Sequence, residues 1–108
     1  MKKAMISQPM NGLSDEEIKD TKERAVKFLN DSGYEVINTL FTDEYYNEEN
    51  LKNKNIIHPG VFFLGKSLEE MSKVDVVYFC HGWEKTRGCI IEHQVAACYG
   101  IKILYELI

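Results

Sequence analysis

Residues Val74 to Leu104 read VDVVYFCHGWEKTRGCIIEHQVAACYGIKIL. Val74 and then Val76 to Cys80, interrupted only by Asp75, form an apolar run the length of a buried strand. A polar turn containing glycine follows, His81 to Gly88. The next residues, roughly Gly88 to Tyr99, predict a helix closed by Gly100, and Ile101 to Leu107 predict a further strand. Apolar strands joined through a helix argue a parallel βαβ crossover whose sheet is covered on both faces. Ligands in such sheets bind beyond the carboxyl ends of the strands. His81 to Gly88 then stands at the rim of a site, with the amino end of the helix and Glu92 beside it.

In that helix Ile91, Val95 and Cys98 follow a one-face spacing and are expected to form its core face. Glu92 falls on the flank, at the edge of the core. Spacing alone leaves two readings open. One is a solvated glutamate in a first turn, favoured by the helix dipole. The other is a carboxylate aimed into the cleft, available as a nucleophile or as a ligand for sugar hydroxyls.

Working back toward the start, Lys2 to Ser7 reads as a first strand. The loop Gln8-Pro9-Met10-Asn11-Gly12-Leu13 leaves its carboxyl end and so faces the same rim as His81 to Gly88. Its amides can hold a ribose or phosphate oxygen, although it is neither a GxGxxG nor a Walker loop and also reads as an ordinary βα turn. Ser14 and Glu17 form a capping box for a helix whose stripe is Ile18, Ala25, Phe28 and Leu29, closed by Gly33. Tyr34 to Thr39 reads as a second strand. Thr42 to Asn55 is polar and reads as a long loop with room for one helical turn. Its Tyr45 and Tyr46 suit either base stacking or a subunit contact. Pro59 opens a helix with Val61, Leu64, Leu68 and Met71 on one face. Phe62 and Phe63 widen that face beyond what one sheet requires, which points to a partner subunit. Ser67 lies on its flank.

The order β-α-β-loop-α-β-α-β, with right-handed crossovers, predicts four parallel strands in the order 2-1-3-4. That is an α/β three-layer sandwich of the flavodoxin-like or Rossmann-like kind. The 108 residues are expected to form one domain, 1–108.

Composition narrows the function. A net charge of −4 argues against a nucleic-acid polymer as partner. Lys52 and Lys54, the one basic cluster, read as a solvated loop. No apolar run is long enough to span a bilayer and no leader is evident, so a cytoplasmic protein without membrane contact is expected. Cys80, Cys89 and Cys98 form no CxxC and read as small core residues in a reducing compartment. His58, His81 and His93 lack ligand spacing, so no metal and no cofactor are expected.

The run Gly82-Trp83-Glu84-Lys85-Thr86-Arg87-Gly88, followed by Glu92, resembles the signature of the nucleoside 2-deoxyribosyltransferase-like superfamily. It is closest to a small bacterial and phage branch of unknown function with a GW-x-x-[ST]-x-G-x-x-x-E pattern. The opening Ile6-Ser7-Gln8-Pro9-Met10-Asn11-Gly12-Leu13 is similar to that branch's first loop. The resemblance covers nearly the whole chain. It implies cleavage or exchange of the N-glycosidic bond of nucleosides or their 5′-monophosphates, with Glu92 as nucleophile. It further implies that Gln8, Pro9, Met10, Asn11 and Gly12 lie against the sugar. Thr86, Arg87 and Gly88 would lie near the 5′ end, where a helix amino end suits a phosphate; an exposed structural Arg87 is an equal reading. Trp83 is either a base-stacking residue or a packed tryptophan at a strand end. Superfamily members commonly form dimers or tetramers, so a homodimer or higher oligomer is expected.

Departures from the superfamily pattern bear on the reaction. An aspartate that helps protonate the leaving base usually stands on the helix before the Asp75 strand. Here that position is Ser67, which cannot act as a general acid near neutral pH. A tyrosine often found in the first strand is Met5, and first-loop Arg or Ser positions are Asn11 and Pro9. Asp75 matches an aspartate at the strand entrance and reads as structural. Two functions follow as expectations: a nucleoside or nucleotide N-glycosidase or 2-deoxyribosyltransferase, or a non-catalytic protein that sequesters a nucleotide or nucleotide-derived signal, as a phage anti-defence protein would.

Overall fold

The structure is a computed structural model that describes residues 1–37 and 48–107, with backbone alone for residues 48–50. Its strands are β1 (Lys2–Ser7), β2 (Tyr34–Val36), β3 (Val76–Phe79) and β4 (Lys102–Tyr105). Its helices are α1 (Asp15–Asp31), α2 (Glu48–Asn53), α3 (Pro59–Met71) and α4 (Arg87–Cys98), with one 3₁₀ turn at Trp83–Lys85. The strands pair in parallel in the order β2-β1-β3-β4, as the crossover argument predicts.

Alternation along β1 and β3 sorts the core into two layers. Ala4, Ile6, Val76, Tyr78 and Cys80 face α1 and pack with its Ala25 and Leu29. Met5, Val77 and Phe79 face the other way and pack with Met71, Leu68, Val95 and Ala96 of α3 and α4. All four residues of β3 are buried, as a central parallel strand covered on both faces requires. No helix among the described residues is long and apolar enough to cross a membrane.

Local chemistry sets the element ends. Ser14 Oγ accepts from the Glu17 N–H at 3.2 Å while the Glu17 carboxylate accepts from the Ser14 N–H, so the capping box is formed. Asp75 lies just outside β3. Its carboxylate accepts from the Lys3 N–H at 2.7 Å, and its own N–H donates to the Lys3 carbonyl at 2.9 Å. This reciprocal pair sets the register Ala4↔Val76 and gives Asp75 the structural role expected of it.

Several expectations are corrected. The buried face of α4 is Cys89, Glu92 and Ala96; Ile91 is at the surface and Cys98 is exposed, so Cys98 is not a core residue. Apolar residues surround most of this helix, and periodicity alone did not choose among its faces. On α1, Phe28 is half-exposed with its ring 5.4 Å from Tyr78, at the margin of the layer. On α3, Val61 is 68% exposed, because only the carboxyl half of that helix reaches the core through Leu68 and Met71. Strand β4 ends at Tyr105 and leaves Leu107 exposed. Of the strand expected from Tyr34 to Thr39, Tyr34–Val36 forms β2 and the Ile37 N–H bonds the Ala4 carbonyl, while Asn38 and Thr39 lie outside the described residues. The polar stretch after it contains α2, two residues longer than one helical turn. Tyr45 and Tyr46 lie outside the described residues.

Candidate functional site

In the order 2-1-3-4 the chain reverses its direction of growth between β1 and β3. The carboxyl ends of those two strands therefore form the crevice in which doubly wound sheets bind ligands. Two loops rise there: residues 8–14 after β1 and residues 80–86 after β3. They touch. Gly82 has φ +88°, and a Cβ built on it would stand 3.4 Å from Pro9 Cγ. Any other residue at Gly82 is strained by its backbone.

Glu92 sits one turn into α4 and is 9% exposed. Burial pushes its pKa up to about 7, and no neighbouring charge or hydrogen bond offsets that effect. Its neighbour on the buried face is Cys89. Burial raises the Cys89 thiol pKa; the Ser7 and Thr86 hydroxyls beside it partly oppose this, and the Glu92 charge adds to it. Ser7, Thr86, Cys89 and Glu92 thus form one cluster, drawn from the end of β1 and the first turns of α4. Glu92 is thus a largely buried residue at the edge of this cluster.

The amino end of α4 is open. Thr86 is its N-cap, but its side chain does not cap; the hydroxyl donates instead to the Trp83 carbonyl at 3.3 Å. The Ile90 N–H bonds the Thr86 carbonyl, while the N–H groups of Arg87, Gly88 and Cys89 have no backbone acceptor among the described residues. Arg87 and Gly88 are exposed. This end has the makings of an anion or polar-oxygen site.

The other expected residues are placed as follows. Gln8 spends its side-chain amide on the Ile18 carbonyl at 3.0 Å, which ties the first loop to α1. Pro9 is buried against Gly82, whereas Met10, Asn11 and Gly12 are exposed around a turn closed by the Leu13 N–H and the Met10 carbonyl. Ser67 is half-buried on α3, the helix packed beside α4. Trp83 lies in an aromatic cluster with Phe79, His93 and Tyr105. Its indole stacks on the His93 ring at 4.1 Å and 15°. One face of Trp83 is therefore already covered.

Ser7 and Cys89 belong to the cluster and were not among the residues singled out from sequence. The signal for Ser7 was available. It shares Met5's face by strand alternation, and it is the polar end of that face at the carboxyl edge of β1. A shallow depression of about 440 Å³ lies elsewhere, near Met1, Val26 and Tyr34. That is the opposite end of the strands from Glu92, and it brings together no comparable set of buried polar groups.

No curated protein and no solved structure is significantly similar to this chain. Residues 2–105 match a family described as a domain of unknown function, DUF4406. With that match spanning every described element from β1 to β4, the chain belongs to the DUF4406 family.

Proposed function

We propose that the chain is a nucleoside or nucleotide N-glycosidase or 2-deoxyribosyltransferase, with Glu92 as nucleophile. The observation that carries this reading is the buried, unpaired Glu92 carboxylate at the carboxyl ends of β1 and β3. A poorly solvated carboxylate is a strong nucleophile once ionised. A Glu92 oxygen forms a bond to the anomeric carbon as the carbon–nitrogen bond breaks. The electron pair stays on the base, which takes a proton from water as it leaves. Water then attacks the same carbon and frees the sugar, or a second base attacks and is exchanged, with retention overall. The loop at Gln8 to Gly12 lies against the sugar, and Thr86 to Gly88 at the open end of α4 take its 5′ end.

Partners follow from the same surface. The ligand is a small nucleoside or nucleotide. Exposed Ile57 and Val61, with half-buried Phe62 and Phe63 on α3, fit a second copy of the chain.

A second reading is favoured by Ser67. The residue matching the superfamily's acid is a half-buried serine, so protonation of the leaving base has no evident donor. A protein that holds a nucleotide without cleaving it needs no such donor. Incubation of wild type and Glu92→Ala with nucleosides, nucleoside monophosphates and NAD-like dinucleotides separates the two. Base release that vanishes in Glu92→Ala supports catalysis. Tight binding with intact ligand recovered replaces it with sequestration, and neither binding nor release rejects both.

A further inference from the structure

We propose that Ser7 is a ligand-binding residue whose hydroxyl pairs with a hydroxyl of the bound sugar. This rests on the reading of the Glu92 cleft as a sugar site.

Ser7 is 2% exposed at the end of β1, on the face that packs against α4. Its Oγ is the one buried side-chain nitrogen or oxygen among the described residues that makes no hydrogen bond. The Cys89 thiol is its polar neighbour, but no donor–acceptor pair of ordinary geometry forms between them. A buried hydroxyl without a partner costs stability, and such groups are rare in folded proteins. Alanine would fill the same position at the end of the strand without that cost.

The surroundings indicate what the hydroxyl is for. The Cys89 thiol beside it belongs to the first turn of α4, where the N–H groups of Arg87, Gly88 and Cys89 lack backbone acceptors among the described residues and the Thr86 side chain leaves the helix end uncapped. Glu92 lies one turn further along the same buried face. An anionic group placed beside Ser7 would meet the Glu92 carboxylate in a poorly solvated setting and be repelled. A sugar hydroxyl is compatible with both: it accepts from Ser7 and donates to Glu92. The Ser7 oxygen has no solvent contact in the free protein, so ligand entry requires a side chain beside it to move.

Ser7→Ala tests this with four probes: ribose 5-phosphate, 2-deoxyribose 5-phosphate, AMP and dAMP. The sugar phosphates carry no base, so their binding is independent of any cleavage. The expected result has opposite signs. Without ligand, Ser7→Ala unfolds at a higher temperature than wild type. It nevertheless binds at least one sugar phosphate about tenfold more weakly by calorimetry, about 1.4 kcal/mol. Unchanged affinity overturns the inference, as does a lower unfolding temperature of the free variant, which would make Ser7 a structural residue. Wild type that binds none of the four overturns it as well. Wild type that binds all four and releases no base removes only the catalytic reading and leaves Ser7 in place.

Discussion

The backbone N–H of His81 donates to the Glu106 carboxylate at 2.9 Å, across 25 positions of the chain. The other Glu106 oxygen takes the Arg24 guanidinium at 3.4 Å, and the Glu106 N–H donates to the Phe79 carbonyl at 2.8 Å. One side chain thus ties the end of β4 to the start of the loop over the site and to α1. The two side-chain contacts differ in weight. Arg24 is 61% exposed, and such a pair contributes less than about 1 kcal/mol. The N–H to carboxylate bond is charge-assisted and lies where Glu106 is 12% exposed, so it contributes about 2 kcal/mol. Urea unfolding should show Glu106→Ala losing about 2 kcal/mol and Arg24→Ala less than half of that. Equal losses would mean that the ion pair, not the loop bond, is what Glu106 supplies.

Glu92 makes stability depend on pH in the direction opposite to a salt-bridged carboxylate. Its native pKa is raised from 4.5 to about 7. Between those values the folded chain holds a proton that the unfolded chain has released. Stability therefore falls as pH rises through this window, and the full cost is present above it. That cost is at most about 3 kcal/mol, from a shift of this size. Glu92→Gln removes the titration. Its stability relative to wild type, from urea unfolding, should be much greater at pH 8 than at pH 4.5. A difference that does not vary with pH would place the wild-type carboxylate in contact with water. If Glu92 is the nucleophile, base release by wild type should also rise with pH up to about 7, because only the ionised carboxylate attacks.

The fold was readable because its signals are local and redundant. Four apolar runs, a capping box at Ser14 and Glu17 and a proline at the start of α3 each mark an element by themselves. Right-handed crossovers then leave one strand order. The site was readable only in part. Glu92 and the two loops follow from topology, since the carboxyl ends of parallel strands must meet at one edge. The rotation of α4 did not follow, because Ile90, Ile91, Val95, Ala96 and Cys98 leave no single apolar face. In sequence Ser7 reads as the tail of an apolar strand, and its meaning depends on lacking a partner, which no sequence displays. The partner of Trp83 was hidden for a related reason. His93 reaches it only once α4 has docked on β3.

Asp75 offers a test of the register between β1 and β3. Its carboxylate and N–H bond both polar groups of the Lys3 backbone, at the entrance of the two central strands. The carboxylate bond is charge-assisted but solvent-facing, so its loss should cost about 1 kcal/mol. Asp75→Asn keeps an acceptor and should lose about half of what Asp75→Ala loses. Amide hydrogen exchange gives the sharper readout. The Lys3 N–H should exchange fastest in Asp75→Ala and at an intermediate rate in Asp75→Asn, with Met5 and Ile6 little changed. Uniform acceleration along β1 would mean that Asp75 holds the whole strand and not its entrance.

Trp83 is the one tryptophan in the chain, so its fluorescence reports on the edge of the site alone. Its indole lies almost parallel to the His93 ring, and the His93 Nε2 is 2.6 Å from the Tyr105 hydroxyl. The imidazole covers one face of the indole, and the Tyr105 hydroxyl holds the ring in that orientation. His93→Ala uncovers that face to water, so emission should move to longer wavelength. Tyr105→Phe removes the hydrogen-bond partner of the ring and should give a smaller shift in the same direction. A spectrum unchanged by His93→Ala would mean that other neighbours set the indole environment. Emission would then cease to be a clean gauge of how ligands at Glu92 disturb the neighbouring turn.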